Sequence, residues 1–445
     1  MSINKYFTIV ISLFFFSCSF DNKSGIWQEG NELTNDTKIN KNNKRIKVFK
    51  ETEIFQEEVL KKTNLLLKDS KYNKSWLNEY YNLKNNYQNF KVKDFSKDDV
   101  TKEKYNLKLR GKLLSYKDQL ISYDKNANII VYSLAKKQII VKYNFYKNKF
   151  KKYKKRIFLT IDKENNSVVA ADNLGYIYSI DLNLGKLNWA QNFGVPFRSE
   201  LKIFDKQIFI SNQDNVLYSL SSKSGKKNWQ LLTEQGNLKS NFKNSLVIDS
   251  QNLFFLNSVG KLHSINHVNQ KINWITAVSQ PAANSKFNYY DGQPITLYAD
   301  KLILTSSSRT ILIDALSGNT IWSKPISNKL KPVVIQKQLY LFSSNNFLIS
   351  INFDGKINWS RNINKMLKKD FDNDFKRVGN IKSIMIVNNA LQAITERGGI
   401  INFNVQDGSI KEIVKISKEK INLYPIYISK KLLYINEKGS LIVYF

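Results

Sequence analysis

The sequence predicts an all-β fold, an eight-bladed β-propeller with four-stranded blades, closed by a strand from the N-terminal side. Three observations carry this expectation. A phrase of the form Gly-Lys-x-Asn-Trp recurs, with tryptophans at 189, 229, 274, 322 and 359 and spacings of 40, 45, 48 and 37 residues. A period in the forties with several short strands per unit is the signature of a propeller blade. Paired alternating strands fall at 118–134, 167–181, 207–220, 253–266, 301–314, 339–352, 391–404 and 432–445, which makes eight pairs. Within 216–220, for example, Val216, Tyr218 and Leu220 share one face, as a half-buried strand requires. Finally, the last pair ends at Phe445 and leaves the eighth blade short of its outer strand. Residues 105–109 alternate suitably and are expected to supply it, so that the ring has no free sheet edge. Residues 101–445 then divide into units of about 43 residues.

Each blade justifies itself by its punctuation. Turn formers separate the strands of a pair, as in Asp172-Asn-Leu-Gly175, Asn212-Gln-Asp-Asn215 and Asn436-Glu-Lys-Gly439. The tryptophans recur at one position of the outer strand and read as packing residues between blades.

Upstream of the ring the chain changes character. Residues 1–17 read as a signal peptide: Lys5 gives a charged start, and an apolar stretch to Phe16 is too short to span a bilayer comfortably. The stretch ends at Ser17-Cys18-Ser19, which resembles the lipobox of bacterial lipoproteins, with Cys18 as the lipidated residue. Residues 18–100 form the lipidated tether and N-terminal segment. Its first part is polar and suits a flexible linker. The apolar residues Ile54, Phe55, Val59 and Leu60 approach helical spacing and predict a short helix within 51–68. Trp76, Tyr80, Tyr81 and Tyr87 follow as an aromatic-rich approach to the ring.

Composition excludes several chemistries. Cys18 is the single cysteine, so no internal disulfide, thiolate metal cage or vicinal redox pair forms. The two histidines, His263 and His267, have no nucleophile or carboxylate pattern beside them in sequence. Phosphate-binding glycine motifs are lacking. The 69 Lys and Arg against 37 Asp and Glu give a net charge of +32, but the excess is spread along a chain rich in Lys, Asn and Ile, so it reads as compositional. The densest basic run is 147–156, with seven cations in ten residues and Phe150 and Tyr153 between them. For an exported chain it reads as a solvated insertion, or as a contact for anionic head groups or an acidic partner, and not as a nucleic-acid site.

The repeat, with its Asp/Asn turn, Gly-Lys and Trp, resembles the pyrroloquinoline-quinone-type propeller repeat. With the lipoprotein signal and eight blades, the chain resembles the BamB family of outer-membrane β-barrel assembly lipoproteins over residues 100–445. That resemblance implies a non-enzymatic scaffold without cofactor, held by a lipid anchor at the periplasmic face of the outer membrane. Its implied partners are the periplasmic domains of the central barrel-assembly protein and, more weakly, unfolded barrel clients. In the family a hydrophobic-x-hydrophobic-Arg stretch and a later Asp-x-x-Pro stretch contact that central protein. Val195, Phe197 and Arg198, then Asp291 of Asp291-Gly-Gln-Pro294, occupy those positions here. Related eight-bladed propellers are quinone-dependent dehydrogenases with calcium on the axis, the alternative reading. The single cysteine removes the vicinal disulfide of many such enzymes, and no consistent set of oxygen ligands stands out.

Overall fold

The computed structural model describes residues 55–94, 101–147, 149–150, 153–236, 243–278, 290–371 and 378–445. Cys18, with the whole expected signal and tether up to residue 54, lies outside them. The described chain is a ring of eight four-stranded antiparallel sheets. Blades 1 to 7 span 114–144, 157–192, 202–231, 245–277, 296–324, 333–362 and 381–415, and blade 8 combines 426–444 with Lys102–Tyr105. A nine-residue helix, α1 (Ile363–Phe371), leaves blade 6.

All eight expected strand pairs form, as the second and third strands of each blade. They are not half-buried as the alternation suggested but enclosed on both faces between neighbouring blades: Ser167–Asp172 is buried throughout, and Leu302, Ile303, Leu312 and Ile313 are fully enclosed. Each such aliphatic side chain stabilises the fold by about 1.5–3 kcal/mol. The turns are fixed by the residue that ends the second strand. Asp172 accepts the N–H groups of Leu174 and Tyr176 at 2.8 and 2.9 Å, and Asn212, Asn257 and Asn436 repeat the arrangement.

Ring closure follows the expected route with a shifted register. The closing strand is Lys102–Tyr105, pairing Lys102 with Tyr444 and Tyr105 with Leu441, and not 105–109. Leu109 instead donates its N–H to the Gly439 carbonyl at 2.8 Å and begins the turn into blade 1.

The Gly-Lys-x-Asn-Trp phrase joins neighbouring blades. Trp189, Trp274, Trp322 and Trp359 donate their indole N–H to the Ser222, Ala315, Phe353 and Val405 carbonyls of the following blade at 2.9–3.1 Å. The glycine of that following blade supplies the space. A methyl group on Gly225 would lie 2.3 Å from the Trp189 ring, and one on Gly408 2.4 Å from Trp359. The φ of +68° at Gly225 and +71° at Gly408 is a second reason for glycine.

The segment ahead of the ring departs from expectation. Residues 55–68 are extended, not helical, because blade edges take up their backbone groups: Val59 and Ser360 exchange both N–H···O bonds, at 3.0 and 3.2 Å, and Thr63 donates to Gln406 at 2.9 Å. The chain then makes one circuit of the axis, touching the innermost strand of each blade or the connection leading into it. Asn73 meets blade 8, Trp76 blade 1, Leu77 blade 2, Asn82 blade 3, Leu83 blade 4, Lys84 blade 5, Tyr87 blade 6 and Phe90 blade 7. Lys71 and Phe90 bridge in parallel and close the circuit. Trp76 and Phe90 stack 5.6 Å apart at its centre, exposed by 2% and 0%.

Candidate partner-binding face

In an up-and-down blade the connection entering the first strand and the turn between the second and third strands lie on one face of the ring. Arg198 enters blade 3 and Asp291 enters blade 5, so both expected loops open on this entry face. They are two blades apart, with no hydrogen bond or ion pair between them. Arg198 is half-buried, and burial together with the nearby Arg156 guanidinium lowers its pKa. Its backbone is held rigidly, donating to Ser211 and accepting from Asn244, each at 2.9 Å. Asp291 is exposed, beside a short bridge between Gly292 and Ser306.

Phe197 corrects the sequence expectation. At 1% exposure it packs against Phe193 and Tyr218 at 5.5 and 6.3 Å, so it anchors the loop and is not itself a contact surface. The apolar periodicity of the loop marks its attachment to blade 3. Val195 is half-buried at the loop's tip and remains accessible.

The entry face also carries groups that sequence reasoning missed. A cleft of about 850 Å³ runs between the approach to blade 1 and the approach to blade 2, lined by Arg110, Lys125, Lys154 and Arg156 among others. It shares Arg110, Tyr123, Arg156 and Leu423 with a pocket of about 350 Å³ that reaches Glu79 and Lys112. The basic run 147–156 signalled half of this cleft; Arg110 and Lys125, distant in sequence, gave no signal.

Near the axis the charges are paired through the circuit. Burial would raise the Glu79 pKa, but the ammonium groups of Lys112 and Lys243 outweigh it and hold the carboxyl well below its usual range. Lys112 also lies over the Tyr80 and Tyr424 rings, at 4.1 and 4.6 Å. Lys331 sits 4.1 Å over Tyr87, and burial lowers its pKa to about 7 against the pull of Glu200.

The histidines also differ from expectation in one respect. Glu234, remote from the strand, places Oε2 3.3 Å from His263 Nε2, while burial lowers the histidine's pKa. His267 meets the Ser250 carbonyl at 3.3 Å. Among the described residues no three His, Cys, Asp or Glu side chains converge to hold a metal ion.

Residues 155–361, which include both expected loops, match the family model described as outer membrane protein assembly factor BamB. No curated protein matches the chain in sequence. Among solved structures, BamB from Moraxella catarrhalis superposes with a TM-score of 0.61 at 15% identity, covering 77% of this chain and 98% of that one. A quinohemoprotein alcohol dehydrogenase from Pseudomonas putida HK5 gives 0.60 at 9% identity, covering 83% and 80%. The computationally designed Ika8 protein gives 0.54 at 9% identity, covering 77% and 100%. At such identities a shared shape speaks for the fold alone. Repeat, blade count and family match agree, and the chain carries a BamB-type, pyrroloquinoline-quinone-like β-propeller.

Proposed function

We propose that this protein is a non-enzymatic scaffold of outer-membrane β-barrel assembly, a lipoprotein anchored through Cys18 at the periplasmic face of the outer membrane. Its entry face presents Val195, Arg198 and Asp291 to the periplasmic domains of the central assembly protein. Exposed loops on a rigid ring suit such a role. The observation that carries the non-enzymatic reading is the occupied axis. A quinone with its calcium would need an axial space lined by converging oxygen ligands. Here the axis is filled by the chain's own Trp76, Tyr80, Asn85, Tyr87 and Phe90, all less than a tenth exposed. The residues on the axis do not fit that cofactor.

The test is retrieval of the tagged protein from detergent-solubilised membranes, with the central assembly protein quantified by mass spectrometry. Arg198→Ala combined with Asp291→Ala is expected to lower its recovery about tenfold, as loss of two interface anchors does, while melting stays unchanged. Normal recovery with the double variant removes the loop assignment. Absence of the assembly protein from the wild-type retrieval, together with calcium- and quinone-dependent dye reduction, restores the dehydrogenase reading.

A further inference from the structure

The cleft beside blade 2 has a chemistry of its own. Seven of its lining side chains are cationic and one is a carboxylate, Asp124. That carboxylate is committed: Oδ1 accepts from the backbone of Asn126 and Asn128 at 2.8 and 2.9 Å, and Oδ2 accepts from the Asn128 amide at 2.6 Å. Lys155 is likewise engaged, donating to the Phe150 carbonyl at 2.8 Å and lying 5.0 Å over the Tyr146 ring. Arg110, Lys125, Lys154 and Arg156, by contrast, are exposed and have no carboxylate partner among the described residues. Lys151 and Lys152 of the same run lie outside the described residues.

Concentrating like charges in one recess is unfavourable unless an anion relieves it. Two arginines offer planar donor forks that match carboxylates bidentately, and lysines around them supply diffuse attraction. The recess also sets the kind of anion. A bilayer surface is flat and meets protruding cations, whereas a cleft of about 850 Å³ that narrows towards Glu79 and Lys112 accepts a chain laid along it. Its opening lies on the same face as Arg198, close enough for Arg156 to lower the Arg198 pKa.

We propose that this cleft, through Arg110 and Arg156 with Lys125 and Lys154 beside them, binds an extended acidic polypeptide segment of the partner that engages Arg198. The inference rests on the scaffold reading for the partner being a protein; the cleft's preference for carboxylates can be measured separately. Recognition of acidic motifs by arginine clusters is an established mode of peptide binding.

The test uses the purified full-length protein in detergent and a fluorescein-labelled hexaglutamate peptide, read by anisotropy. Binding is expected to weaken steadily with salt. Arg110→Gln with Arg156→Gln should weaken it about tenfold, whereas Lys223→Gln with Lys226→Gln, an equal loss of charge on the opposite face, should change it less than about twofold. Equal weakening by both pairs would mean that net charge alone attracts the peptide, and the site would be lost. Inorganic phosphate and phosphatidylglycerol vesicles form the other arm. Should the arginine pair weaken vesicle or phosphate binding while hexaglutamate fails to bind, the cleft is a phosphate seat and the proposal is overturned. Peptide binding at the cleft with no recovery of the assembly protein from membranes would sink the scaffold reading alone.

Discussion

Lys202 donates its ammonium to the Asn85 side-chain oxygen at 2.6 Å, and the other end of that amide donates to Glu200 at 3.2 Å. Lys202 and Glu200 are a fully buried ion pair 3.6 Å apart, and the axial circuit meets each with the complementary half of one amide. A buried pair is stabilising only when its remaining hydrogen-bond capacity is satisfied. Asn85→Leu should therefore destabilise the fold by about 3 kcal/mol, read as a lower urea midpoint. Tyr72→Ala, on the exposed start of the circuit, should cost less than about 1 kcal/mol. Equal losses from the two would show that the amide has no special role.

The glycine of the repeat makes a second prediction with a built-in control. Gly225 and Gly194 have nearly the same φ, +68° and +71°, but a methyl group at Gly225 meets Trp189 at 2.3 Å and one at Gly194 meets nothing within 4 Å. Gly194→Ala should cost about 1 kcal/mol, the backbone penalty alone. Gly225→Ala adds a steric clash and should cost about 3 kcal/mol. Melting temperatures of the two variants decide it, and equal shifts would remove the blade-to-blade role of the indole.

Lys331 makes the third prediction. Its folded pKa of about 7 lies below the ordinary 10.5, so between these values the unfolded chain holds a proton that the folded chain lacks. Stability from this group therefore rises with pH across that window, and below it the full penalty is present. Lys331→Met should stabilise the protein most at pH 6 and by at least about 2 kcal/mol less at pH 10. Denaturant unfolding of both forms at the two pH values gives the difference, in which other titrations cancel. A pH-independent difference would refute the assignment.

Much of the ring was legible because each strand reports its own environment. Val216, Tyr218 and Leu220 alternate whatever stands beside them, and Gly225 needs its turn whatever ring faces it. The closing strand was legible only approximately: 105–109 alternate as well as Lys102–Tyr105, and the choice is made by Gly439, whose carbonyl takes Leu109 into the next turn. The circuit of residues 71–91 was not legible, since its backbone bonds go to six different blades, side-chain contacts reach the other two, and no period results. Phe197 and Arg198 show the same limit within the site. A hydrophobic-x-hydrophobic-Arg phrase does not say which residue points inward, and the neighbours that bury Phe197, Phe193 and Tyr218, come partly from the next blade.

Ring closure supplies the last prediction. Blade 8 depends on Lys102–Tyr105 for its outer strand, and the circuit independently ties blade 8 to its neighbours through Asn73, whose amide donates to the Tyr427 carbonyl at 2.9 Å. If closure is cooperative, breaking the outer strand is felt around the ring; if the circuit suffices, only blade 8 frays. Glu103→Pro with Lys104→Pro removes ladder bonds of either parity and should cost about 3 kcal/mol or more. Tryptophan contacts join blade 2 to 3, 4 to 5, 5 to 6 and 6 to 7, and loss of the blade 8 edge removes the constraint that holds the circle shut. Hydrogen exchange should then accelerate both in Lys431–Ile435 of blade 8 and in Asn252–Leu256 of blade 4, on the far side of the ring. Unchanged protection in blade 4 would assign the closure to the axial circuit and reduce Lys102–Tyr105 to a local edge.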